Sequence, residues 1–133
     1  AVCKSRAPEI AARLSASSGA DVGRTAIRWR NPANAPDDLE RAVMQGFAAE
    51  LSSALPAAAT PPEAIFESRS AQGTERRYLR AIVMQPVCLA CHGATLAPDI
   101  ATAIARDYPQ DAATGFETAQ LRGAVTVRWP ATR

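Results

Sequence analysis

The chain has 133 residues, 47% of them apolar, which suits one domain spanning 1–133 around one core rather than two. Its formal net charge is only +2, carried by scattered arginines and a single lysine, Lys4; nucleic acid as a main partner would leave a stronger basic bias. No apolar run is long enough to cross a bilayer, so a membrane enters only through an anchor upstream of Ala1, where the absence of an initiator Met points to a processed or trimmed chain.

Along the chain, Cys3 to Ser17 reads as a helix with Cys3, Ala7, Ile10 and Leu14 on one inward face and Gly19 as its stop. Thr25, Ile27 and Trp29 alternate with Arg24, Arg28 and Arg30, the period of a half-buried strand. Arg30 to Pro36 holds two prolines and two asparagines and breaks regular structure. Asp37 then caps a helix with Glu40 as its box partner, and Leu39, Val43, Gly46 and Phe47 form its inner face to about Ser53. A Pro/Ala loop follows over 55–62, expected to be exposed and mobile. Ile65 to Arg69 and Arg76 to Met84 read as strands joined in a hairpin through Ala71-Gln72-Gly73. Asp99 to Asp107 is helical between Pro98 and Pro109, and Leu121 to Trp129 alternates as a last strand. Strands in a hairpin flanked by helices predict an α+β fold with an antiparallel sheet.

Pro86 opens Cys88-Leu89-Ala90-Cys91-His92, the C-x-x-C-H pattern of c-type haem attachment. Two thiols three positions apart lie on one side of a helical turn and can reach two vinyl groups of one porphyrin, while the next residue presents an imidazole to the iron. A buried haem would also supply the flat apolar body that this chain, with 5% aromatic residues, otherwise lacks. Three rivals use the same residues. A thioredoxin-like redox pair expects a βαβ setting, a structural zinc site would consume all three cysteines and the histidine, and a Cys88–Cys91 disulfide would close a very tight loop. One covalent haem c per chain accounts for the whole pattern.

His92 is the only histidine, so two histidines of one chain cannot share an iron. The sixth position falls to Cys3, Met44, Met84, Lys4, a free amine, water or nothing. Cys3 is the cysteine left over from attachment, and an unpaired thiol in an oxidising compartment needs a reason; a small buried hydrophobe is the plain alternative. A thiolate would lower the potential and favour Fe(III), and would be labile on reduction, leaving a site for NO or CO.

Four stretches resemble one known family, the Tll-like c-type haem domains. They are Cys3-Lys4 with Ala7-Pro8-Glu9-Ile10-Ala11; Val22-Gly23-Arg24-Thr25 running into Arg30-Asn31-Pro32-Ala33-Asn34-Ala35-Pro36-Asp37 and Glu40; Cys88-Leu89-Ala90-Cys91-His92-Gly93; and Tyr108-Pro109-Gln110-Asp111-Ala112-Ala113-Thr114-Gly115-Phe116 with Leu121-Arg122-Gly123-Ala124-Val125. The resemblance implies a PAS-like antiparallel sheet and iron held by the attachment histidine and a cysteine of the first helix, roles that fall on His92 and Cys3. Arg30 and Asn34 are candidates for the haem edge, Arg30 pairing a propionate, against the plainer reading of 30–36 as a rigid turn. Tyr108 reads as a helix end and Asp111 as a turn cap.

The expected function is a haem-based redox or gas-sensing module, its partner a small gas or a redox protein; the alternative is a small electron-transfer cytochrome. An enzyme is disfavoured, because the usual distal base is absent when His92 is already a ligand. Covalent haem attachment places such a domain in the periplasm or on the outer face of the inner membrane.

Overall fold

A computed structural model describes residues 2–53 and 60–132, with side chains from Lys4 to Pro130 outside that gap. Most of the expected 55–62 loop therefore lies outside the described residues. The elements run α1 Val2–Ser18, β1 Asp21–Thr25, α2 Asp38–Ser53, β2 Glu63–Ser70, β3 Gly73–Val83, α3 Leu89–His92, α4 Pro98–Asp107 and β4 Leu121–Thr132, with short 3-10 turns at Pro32–Asn34 and Pro86–Cys88. The sheet is four-stranded in the order β1-β4-β3-β2, and every neighbouring pair is antiparallel. The fold is thus α+β, as the element order predicts.

β2 and β3 meet at Ser70 and Gly73, leaving Ala71 and Gln72 as the turn. Gly73 takes φ +124, which an L side chain rarely adopts. One face of the sheet carries Leu79, Ala81 and Ala124, and α2 covers it with Met44 and Phe47; these five make the main core. The phase of α2 differs from expectation by about one residue. Met44 is fully buried, while Leu39 stays 46% exposed.

The same face carries two arginines directly opposite each other, Arg77 on β3 and Arg128 on β4. Like charges in that position repel. Two carboxylates at the start of α2 answer them. Arg77 donates to Asp37 at 2.7 Å and to Glu40 at 3.0 Å, and Arg128 reaches Asp37 at 3.2 Å. Asp37 also caps α2, accepting from the Glu40 amide at 2.8 Å. Glu40 is buried, and burial holds its carboxyl above the ordinary range.

Two expectations fail, and the facing of the last strand is set in the same way, because a strand or helix buries the face its neighbour covers. α1 lies along β1, with the Val22 amide donating to Ser15 Oγ at 2.9 Å. Its apolar stripe is not inward, since Ile10 and Leu14 stand about half exposed. The strand expected over Thr25–Trp29 ends at Thr25, because the chain then turns to its own loops: Ala26 donates to the Asn34 carbonyl and Ala112 to that of Trp29. In β4 the residues facing α2 are Ala124, Thr126 and Arg128, so Val125, Val127 and Trp129 fall on the opposite face.

Candidate functional site

The C-x-x-C-H segment sits beyond the end of β3. Extended Gln85 and Pro86 turn the chain into a 3-10 turn, and α3 continues it for one helical turn to His92. Gly93 ends that turn, its amide donating to the Leu89 carbonyl at 2.9 Å. A Cβ on Gly93 would stand 2.7 Å from that carbonyl oxygen, so glycine is needed for the close approach.

The 111–116 segment straps α3 in place. Phe116 and Gly115 donate backbone bonds to the carbonyls of His92 and Gly93. Asp111 Oδ1 accepts from the Ala113 amide at 3.0 Å, as a turn cap should. Arg30 ties strap to helix. It donates to both Asp111 oxygens, at 3.0 and 3.4 Å, to the Cys91 carbonyl at 2.7 Å and to the Ala113 carbonyl at 3.1 Å. Arg28 donates to the carbonyls of Ala112 and Thr114 and stacks 4.1 Å from the centre of the Phe116 ring.

The strap also orients His92. The Nδ1 atom lies 2.8 Å from the Ala113 carbonyl, which can only accept, so the proton is on Nδ1 and Nε2 carries the lone pair. Burial depresses the imidazole pKa to about 4; the Ala113 bond opposes this, and Arg122 and Arg30 add to it. His92 is therefore neutral at pH 7, the form that binds a metal.

His92 and Cys91 open on a cavity of about 390 Å³. Pro8 of α1 and Ile100, Ala103 and Ile104 of α4 give it apolar walls, and Lys4, Arg24 and Arg122 bring positive charge. The spacing of Ile100, Ala103 and Ile104 is that of one helix face, a signal that could have placed α4 at the site from sequence. Lys4 pairs with Asp107 at 3.6 Å, so its charge is already partly answered. An apolar body with an acidic fringe and a metal able to take an imidazole nitrogen matches this donor set.

Of the residues expected at the site, Cys91, His92, Arg30 and Asn34 line this cavity. Cys88 does not. It packs against the buried cluster of Met84, Ala113 and Phe116 and accepts from the Gln85 amide at 3.4 Å. Arg30 borders the cavity, and its Nε and Nη2 atoms donate to Asp111 and two carbonyls. Met44 and Met84 are fully buried and neither lines the cavity. The Cys3 side chain lies outside the described residues. Among the described residues no three His, Cys, Asp or Glu side chains are grouped to hold a metal ion. Sequence reasoning read Asp111 as a turn cap but passed over Arg122 and the hold of the 111–116 strap on α3.

Comparison with known proteins decides the family. The family model for Tll0287-like proteins (Tll0287) matches residues 1–130. The chain belongs to the Tll0287-like family. Among solved structures, the crystal structure of the cyanobacterial heme-protein Tll0287 superposes with a TM-score of 0.72 at 30% identity, over 100% of this chain and 74% of that one. No curated protein matches. The Tll0287-like assignment fits the observed sheet, and it brings to one family the four stretches that carried the resemblance.

Proposed function

We propose that this Tll0287-like chain is a haem protein that holds one haem c through Cys88 and Cys91, with His92 as an iron ligand. The observation that carries the reading is the His92 tautomer. Nδ1 is spent on the Ala113 carbonyl, and Nε2 is left as a lone pair at the edge of an apolar, cation-bordered cavity. Arg24 and Arg30 border this cavity as cations for porphyrin carboxylates. Haem iron would supply electron transfer or gas binding there. Attachment adds each thiol S–H across a porphyrin vinyl group, with no atom lost and no change in oxidation state; for this Cys88 must leave the Gln85 amide. The test is expression with a c-type maturation system, followed by peptide mass analysis. The peptide bearing Cys88 and Cys91 should carry the porphyrin mass, and Cys88→Ala/Cys91→Ala should release all porphyrin into acid-acetone. A bare peptide mass in matured wild-type protein would overturn the reading.

Within that function we favour redox or gas sensing over simple electron carriage, with Cys3 as the sixth ligand. Lys4 and Pro8 of α1 border the same cavity as His92, so whatever binds there also touches the first helix. A ligand lost from α1 on reduction would move that helix. Ferric and ferrous spectra of wild type and Cys3→Ala, with and without CO, separate the readings. A sensor changes ligation on reduction and takes up CO, whereas a carrier keeps both ligands. An unchanged ferric spectrum in Cys3→Ala would exclude thiolate ligation. Covalent attachment implies a periplasmic or outward-facing location.

A further inference from the structure

Arg122 stands where iron would have to arrive. Its Nε–H points at His92 Nε2 from 3.5 Å, its Nη1 donates to the Arg28 carbonyl at 3.2 Å, and its guanidinium lies 5.6 Å from the centre of the Phe116 ring. An imidazole Nε2 has one lone pair. It can accept from an N–H or bind a metal, but not both, and a guanidinium beside a metal cation adds like-charge repulsion. Arg122 also borders a second cavity, of about 460 Å³, that it shares with Arg28, Phe116, Leu51 and Gly123. Arg122 thus borders two open spaces.

We propose that Arg122 is a displaceable cap on His92: it occupies the ligating nitrogen before loading, and coordination at Nε2 requires the guanidinium to swing toward the adjoining cavity. This rests on the haem reading of the site. Arg122 is a positioning residue, and its effect should show in access to Nε2 as well as in the loaded protein.

One histidine in the chain makes a clean probe. Diethyl pyrocarbonate acylates neutral imidazole, and its absorbance change reports His92 alone. On full-length Cys88→Ala/Cys91→Ala protein, which cannot fix haem covalently, adding Arg122→Ala should speed the modification about tenfold, the low end for a bond from a charged donor given its length. Arg122→Lys should stay near the parent rate and Arg122→Gln should fall between, so the result does not hang on one variant. Added haemin, followed by its absorbance, should bind faster in Arg122→Ala by a similar factor. Equal modification rates in parent, Ala and Gln variants with unchanged circular dichroism would overturn the cap. Faster modification together with a bare Cys88–Cys91 peptide mass in matured wild-type protein would keep the cap and sink the haem reading. Haemin binding to all variants at one rate, with equal modification, would keep the haem reading and sink the cap.

Discussion

Two buried or nearly buried arginines hold two halves of this molecule in different ways. Arg77 belongs to the sheet. It lies on a strand, 3% exposed, and meets two carboxylates at the start of α2 across a hydrogen-bonded ladder. Arg30 belongs to the loops. Its side chain is 13% exposed and it grips one carboxylate and two backbone carbonyls, 61 to 83 residues away. Around Arg77 the backbone is already paired by strand and helix, so the ion network neutralises charge that the β3–β4 register creates. Around Arg30 the segments that carry His92 have little regular structure, and the guanidinium itself supplies their missing donors. The sheet half would keep its backbone arrangement without its arginine's hydrogen bonds; the site half would not.

Breaking each arginine tests this contrast. Arg77→Ala leaves Glu40 buried without its principal cation, and removal of one partner from a buried pair costs about 3–5 kcal/mol. We expect a large fall in the urea midpoint at nearly constant slope. The double variant Arg77→Met/Glu40→Leu should recover most of the loss, because it removes the charge together with its partner. If the double variant is no better than the single one, the network does more than neutralise.

Arg30→Ala should cost less globally, about 2–3 kcal/mol, because Asp111 keeps its bond from the Ala113 amide and some solvent contact. Its effect on the site should exceed its effect on the fold. Amide exchange should rise over 89–93 and 111–116 while β3 and β4 stay protected. Arg30→Lys should not rescue this, since a lysine cannot serve a carboxylate and two carbonyls from one planar fork. Uniform loss of protection across the sheet would show that the two halves are not separable.

The same contrast explains what could be read from the chain in advance. α2, the β2–β3 hairpin and α4 were visible because each carries its own signal: Asp37 as a cap, Ala71-Gln72-Gly73 as a turn, Pro98 at a helix start. The C-x-x-C-H motif was visible because its residues stand together in the letters. The exposed stripe of α1, the early end of β1 and the facing of β4 were not, since each depends on which neighbour covers it. For Arg30 only a propionate was named as partner, because an arginine in a Pro/Asn loop has no local acceptor in the sequence. Besides Asp111, its acceptors are the carbonyls of Cys91 and Ala113, and a carbonyl belongs to every residue type. Nothing in the letters at 91 and 113 distinguishes them. Arg122 was hidden in the same way, because its position beside Nε2 arises only when β4 lies against the end of α3.

The smallest expected effect concerns His92 itself, in protein without haem. Burial lowers its pKa from 6.5 to about 4 in the folded chain. Between those values the unfolded chain binds more protons than the folded one, so stability rises with pH across that window and levels off above it. Acidification from pH 7 should therefore lower the melting temperature progressively from near pH 6.5 down to about pH 4. Other groups also titrate there: burial raises Glu40, while Asp37, pushed up by burial, is pulled net downward by the Glu40 amide and Arg77. Subtracting the profile of His92→Gln isolates the imidazole, because those carboxyls contribute to both. The difference should be modest, since the ring is only partly buried and water screens its charge. A difference profile that is flat from pH 7 to pH 4 would mean that folding leaves the imidazole solvated. It could not then be the neutral, oriented ligand we propose, held by the Ala113 carbonyl and the strap from Asp111 to Phe116.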